Sequence, residues 1–146
     1  QVLGDIVSGL GSQYLRSRKK IIGLFILLSF AFMLVYLLFP IKNATVFYTI
    51  CVFLGFCNGY WTIFITIAAE LFGTNLRATV ATSVPNFVRG TAIILTSVFL
   101  SLKPSLGIIN SALIIGFSTV VIALVSLYSL EETFTKDLNY EEEGNQ

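Results

Sequence analysis

Histidine is absent from this chain, and with it go a histidine-based zinc site and any Ser-His-Asp arrangement. Charge is almost as scarce. Lys, Arg, Asp and Glu make up 12% of 146 residues, against about 25% in a typical soluble domain, too little to clothe a water-facing surface. The net charge is +1 and the basic residues gather in one loop, not along a groove-sized face, which argues against nucleic acid as a partner. Only two cysteines occur, Cys51 and Cys57, six positions apart in one apolar stretch. Small apolar fillers are the economical reading there, rather than a redox pair or metal site. No nucleophile–base pair or metal cluster assembles, so the chain does not read as an enzyme, and no cofactor or metal is expected.

What is present is apolar length. The chain is 55% hydrophobic with mean hydropathy +0.86. Residues 21–41, 43–69 and 104–130 carry no formal charge, and 78–102 is broken only by Arg89. A helix needs about 20 apolar residues to cross a bilayer's hydrocarbon core. Residues 21–39 show almost no polar face, whereas a soluble amphipathic helix would keep one. The solvent that fits is lipid, and the fold class is an all-α membrane protein.

Four complete spans are predicted, at 21–39, 45–72, 76–102 and 108–130, after the end of a fifth helix at 1–15. Pro40 closes the first span, residues 42–44 turn into the second, and Asn75 is a candidate N-cap for the third. Residues 103–107 make another short turn, and an acidic tail occupies 131–146. The chain opens on Gln1 inside a helical pattern, and it is expected to be a portion of something longer. Arg16, Arg18, Lys19, Lys20, Arg77 and Lys136 fall on one side of these spans, Lys42 and Lys103 on the other. That bias predicts a cytoplasmic basic loop, 70–77 connection and carboxy terminus.

The spans differ in polarity. The first and fourth are nearly uniform and expected to face lipid. The second carries Asn58, Tyr60, Trp61, Thr62 and Thr66, and the third carries Thr82, Ser83, Asn86, Arg89 and Thr91. Polar groups at membrane depth belong against a bundle interior or a wet cavity. Arg89 is the sharpest of them. It lies twelve residues past Arg77, hence roughly 18 Å deeper along a helix. Two roles fit it: substrate binding or coupling, and an ion pair that only joins helices. Asn86 shares its face, and Pro85 is expected to kink the helix and free a carbonyl there. Asn58, Trp61, Asn86 and Arg89 are the candidate substrate contacts. Asp5, in a glycine-rich helix, is a candidate for proton or ion coupling, or else a pairing partner for a neighbouring cation. Gly55 and Gly59 form a G-x-x-x-G that reads first as helix packing.

Three motifs on the basic side resemble the carboxy-terminal half of a major facilitator superfamily transporter of the sugar-porter kind. Gly9-x-x-x-Gln13, followed by Arg16, Ser17, Arg18, Lys19 and Lys20, is similar to that family's loop signature G-x-x-x-D-[RK]-x-G-[RK]-[RK]. Gln13 replaces the acidic residue and Arg16 falls where the glycine belongs. Residues 69–79, with Glu70 and Arg77, resemble the E-x-F-[PG]-x-x-x-R connection. Leu130-Glu131-Glu132-Thr133, with residues 136–140, is similar to the P-E-T-x-G ending, Glu131 standing for proline.

The resemblance implies helices 8–12 of a twelve-helix fold, with the eighth, tenth and eleventh lining a cavity. It further implies that Gly9, Gln13, Arg16, Arg18, Glu70, Arg77 and Glu132 form a cytoplasmic gate, and that Gln13 hydrogen-bonds the amino end of a neighbouring helix. The expected function is part of a secondary active transporter moving a small polar solute such as a sugar or organic acid, with ion coupling. The expected partners are the lipid bilayer, an amino-terminal half and the small-molecule substrate; the expected location is a cell membrane, as in a bacterial inner membrane. The alternative is a small multi-pass scaffold or assembly protein that transports nothing.

Overall fold

A computed structural model describes residues 1–134; the expectations placed on Lys136, Asp137 and Glu141 to Glu143 lie outside the described residues. The described chain is helical with no strand: α1 Val2–Tyr14, α2 Arg18–Leu38, α3 Ala44–Cys57, α4 Trp61–Glu70 and α5 Thr74–Ser129. Three helical stretches are long and apolar enough to cross a membrane: α2, the Ala44–Glu70 run and α5.

Local chemistry sets the ends. Ser17, with extended backbone, caps α2 by accepting the Lys20 N–H. Phe39, also extended, ends α2 in front of Pro40, which disfavours helical geometry in the residue before it. Asn43 caps α3 through Thr45 N at 2.9 Å. For α5 the cap is Gly73, not Asn75, which already lies in the first helical turn. Asparagine's capping tendency yields here to a start immediately after the turn at Gly73.

One further expectation is corrected, and two others gain detail. The continuous helix across 45–72 is interrupted at residues 58–60, and α3 and α4 are separate elements. At Pro85 α5 keeps helical backbone, and its non-helical residue is Gly107, at φ 78° and ψ 173°. The first span packs centrally among the described helices while leaving Leu24, Leu27 and Val35 exposed. Ile21, Ile22 and Phe25 of α2 pack with Ile63 and Ile67 of α4 to form the core.

At Gly107 the chain folds back. Leu95, Thr96 and Phe99 border the same cavity as Ala112, Ile115 and Gly116. Glu70, just ahead of α5, and Glu132, just past it, both bond to Arg18. A straight helix of 56 residues would hold those ends roughly 84 Å apart. α5 is therefore a hairpin, with an outgoing limb at 74–106 and a returning limb at 108–129. A left-handed φ at the bend is cheap for glycine, which lacks the Cβ that would clash.

The returning limb packs antiparallel to α2, pairing Gly23 with Leu127, Phe30 with Phe117 and Met33 with Gly116. On another side α2 runs antiparallel to α3 through Phe25–Phe56, Phe32–Phe53 and Tyr36–Phe47. The outgoing limb is different. Every residue from 86 to 98 is exposed.

Candidate functional site

The basic end of the bundle holds a clasp built from three distant pieces of chain. Arg18 Nη2 donates to Glu70 Oε1 at 2.6 Å, joining the first turn of α2 to the last of α4. Glu70 is only 6% exposed and the Arg18 side chain 21%, so a buried carboxylate meets a half-buried guanidinium. The other atoms of that pair are unsatisfied: among the described residues Glu70 Oε2 and Arg18 Nε have no hydrogen-bond partner, nor does the buried Thr133 hydroxyl. Glu132 comes in from beyond α5. Its carboxylate accepts from Ser17 Oγ, from Arg18 N at 3.0 Å and from Phe134 N at 3.3 Å.

That carboxylate sits at the amino end of α2, where orphan N–H groups and the helix dipole favour negative charge. Burial pushes the Glu132 carboxyl up, but hydrogen bonds from Ser17 and from the backbone of Arg18, Phe134 and Lys19 outweigh it and hold the group below its ordinary value. Lys19 Nζ completes the clasp by donating to Tyr128 O at 3.0 Å and to Leu130 O, two carbonyls at the end of α5.

Of the residues expected to form a gate, the structure brings together Arg18, Glu70 and Glu132. Arg77 adds an Nε bond to Ala69 O at 3.2 Å, tying the start of α5 to the end of α4. Gly9 lies on α1 with open space where a Cβ would stand. Gln13 differs from expectation: its side chain is exposed and, among the described residues, accepts from no helix amino end, and it is Glu132 that holds an amino end, that of α2. Arg16 is exposed, with a left-handed φ of 47°. Ser17 and Lys19 were not anticipated as clasp members. A serine directly ahead of a helical run is a legible cap signal, whereas a lysine reaching across 109 residues of sequence leaves none.

A second polar cluster surrounds the interruption at 58–60. Gly4 of α1 and Gly59 meet backbone to backbone, and a Cβ on either would overlap the other's chain or Phe56 O. Ser8 Oγ donates to Gly59 O, Ser29 Oγ to Cys57 O at 3.3 Å, and Asn58 Nδ2 to Leu54 O at 2.9 Å. Hydroxyls from α1 and α2 thus serve carbonyls that the interruption leaves without helical partners, as irregular backbone away from water requires. Asp5, half-buried rather than buried, accepts from Thr62 Oγ1 at 2.9 Å. Its partner is a hydroxyl, not a cation. Of the G-x-x-x-G pair, Gly59 makes the close approach, while Gly55 has only the Gln1 nitrogen near its Cβ position, at 3.9 Å.

The four candidate substrate contacts divide between two places. Asn58 and Trp61 flank the interruption, Trp61 tilted against Phe64 at 5.5 Å. Asn86 and Arg89 lie on the outgoing limb, both exposed, with Arg89 Nη1 3.5 Å from Asn86 Oδ1, a long and weak contact. Asn86 borders an open groove of about 540 Å³ that also includes Ser83, Phe87, Gly90, Thr91 and Ile94. These residues belong to one helix. The groove is thus one side of a single limb, with no second helix of the described residues lining it.

The sequence matches no protein-family model, no curated protein and no solved structure.

Proposed function

We propose that this chain is the carboxy-terminal portion of a secondary active transporter of the major facilitator kind, contributing four membrane crossings and the end of a fifth helix. On this reading the hairpin at Gly107 makes two crossings, and the transporter moves a small polar solute by alternating access with ion coupling. The basic end and carboxy terminus face the cytoplasm of a cell, with a bacterial inner membrane as the setting.

One observation carries the reading: Arg18, Glu70 and Glu132, drawn from three separate motifs, meet in a single clasp. The positive φ of Arg16 supports it too, because the family's signature has glycine at that position, the residue for which such a φ costs least. The clasp would act as a latch, closed in one state and opened in the other. A pair as buried as Arg18–Glu70 is not the weak surface pair of an easily released gate. Opening it must hydrate Glu70 or supply another cation, so the two states differ by more than a rotation. Arg89 and Asn86 would meet the solute across the groove once an amino-terminal half faces the outgoing limb, and the guanidinium favours a solute with an anionic group.

Uptake of labelled sugars and organic acids by vesicles containing the complete gene product tests this. Arg89→Ala should abolish uptake with the protein still inserted and folded. Full uptake in that variant would remove Arg89 from the solute path. A complete gene product with no uptake of any polar solute would favour a scaffold.

A further inference from the structure

Four basic residues sit at the corner between α1 and α2, and the structure commits only two of them internally. Arg18 is held by Glu70, and Lys19 by the carbonyls of Tyr128 and Leu130. Arg16 and Lys20 are exposed, and among the described residues their side chains have no hydrogen-bond or ion-pair partner. Among the described residues Glu70 and Glu132 are already engaged, and Glu131 forms no ion pair with Arg16 or Lys20. An unmatched surplus of positive charge therefore stands on Arg16 and Lys20.

Backbone geometry singles out Arg16 independently. It has a φ of 47°, the one positive value among the described non-glycine residues. An L-residue with a side chain is strained there, and strain retained at a position points to a use for the side chain. Glycine would relieve it, at the loss of the guanidinium.

Position defines what the pair would meet. Lys20 directly precedes the charge-free run 21–41, so the two cations lie where an apolar helix leaves hydrocarbon for the headgroup layer. Tyr14 and Tyr128, 88% and 87% exposed, stand at the same end of the bundle, as tyrosines do at a membrane interface. Basic clusters beside a span attract anionic lipid.

We propose that Arg16 and Lys20 form a binding site for the phosphodiester of an anionic phospholipid headgroup at the α1–α2 corner. The site rests on the membrane part of the reading above and is independent of transport. Arg16 offers a planar fork to two phosphate oxygens, and Lys20 a point charge to the same group. Arg18 and Lys19 are fixed by the clasp and hold the corner in place without contacting the lipid.

The test reconstitutes the full chain in equimolar phosphatidylcholine and phosphatidylglycerol, releases it gently, and counts retained lipids by native mass spectrometry. Wild type should retain phosphatidylglycerol selectively. Arg16→Gly and Lys20→Gln should each weaken that retention roughly fivefold, and the double variant should abolish the preference. Arg16→Gly also relieves the strained backbone, so its thermal stability in detergent should not fall, which separates lost binding from lost folding. Equal retention of both lipids by wild type, or unchanged selectivity in the double variant, would overturn the site. Selectivity that appears only after deletion of residues 135–146 would also overturn it, by making the acidic tail the occupant. Inorganic phosphate added to chain in phosphatidylcholine alone should not bind, and saturable binding lost in the same variants would name a soluble anion instead. Failure to reconstitute at all would overturn the membrane reading itself, whereas reconstitution without headgroup preference overturns only this site.

Discussion

Arg18 and Arg89 are both guanidiniums on long apolar helices, and the molecule treats them in opposite ways. Arg18 has a carboxylate at 2.6 Å, a core of isoleucines beneath it and a second carboxylate on its backbone N–H. Arg89 has one amide oxygen at 3.5 Å and an exposed helix around it. The first is anchored within the chain, although Arg18 Nε and Glu70 Oε2 find no partner among the described residues. The second is left open by the described residues, and on the reading proposed above a partner or water would have to complete it. Energetic weight in this chain is concentrated at one end, and unspent polarity along one limb.

Six substitutions would break or sharpen that contrast. The largest effect is expected at the clasp, where Arg18→Ala leaves Glu70 buried without its cation and should cost about 3–5 kcal/mol. Arg89→Ala should stay within about 0.5 kcal/mol in the same unfolding measurement in detergent, as exposed positions do. Equal losses at the two arginines would erase the distinction between anchored and open ends.

A glycine pair gives the next contrast. Gly59→Ala drives a methyl into the backbone of Gly4 and should cost about 1–3 kcal/mol, the usual range for overpacking. Gly90→Ala on the outgoing limb meets open space and should gain about 0.5–1 kcal/mol, since alanine loses less freedom in a helix. Destabilisation by Gly90→Ala would mean that its face is packed after all.

Ser17→Ala removes both the α2 cap and one donor to Glu132, an expected loss of about 1 kcal/mol read from the same melting curve. The smallest effect is pH-dependent. Glu132 is held below its ordinary value, so its stabilisation is present above that value and is lost as pH falls through the lowered one. Wild type should therefore lose stability on acidification below about pH 4.5, where Glu132→Gln shows a flatter profile. Parallel profiles would detach Glu132 from the clasp.

Helical class and membrane-length apolar stretches were legible in the sequence, because lipid demands long charge-free runs and residues 21–41, 43–69 and 104–130 supply them. The interruption at 58–60 was harder, although Asn58-Gly59 is a turn dipeptide that carried a local signal. Its apolar neighbours masked it, and the hydroxyls that stabilise it come from Ser8 and Ser29, far away in sequence. Pro85 drew attention away from the residue that departs from helix: α5 keeps helical backbone there and leaves it at Gly107. At the clasp, Glu70 and Arg18 were readable as charges flanking apolar spans. That Glu132 rather than Gln13 would hold a helix end was not, because that choice depends on where the returning limb of α5 finishes. Arg16 was visible as a departure from a glycine position, but its dihedral angle was not.

The bend at Gly107 bears on biosynthesis as well as architecture. With both ends of α5 on one side, the limbs can leave the insertion machinery together, without threading either terminus across. Burying Arg89 alone would cost roughly 2.5–3.5 kcal/mol on insertion-based scales, a debt that the charge-free sequence 108–129 can offset if the limbs partition as a unit. A ribosome stalled before that second limb emerges should therefore leave the first one poorly inserted.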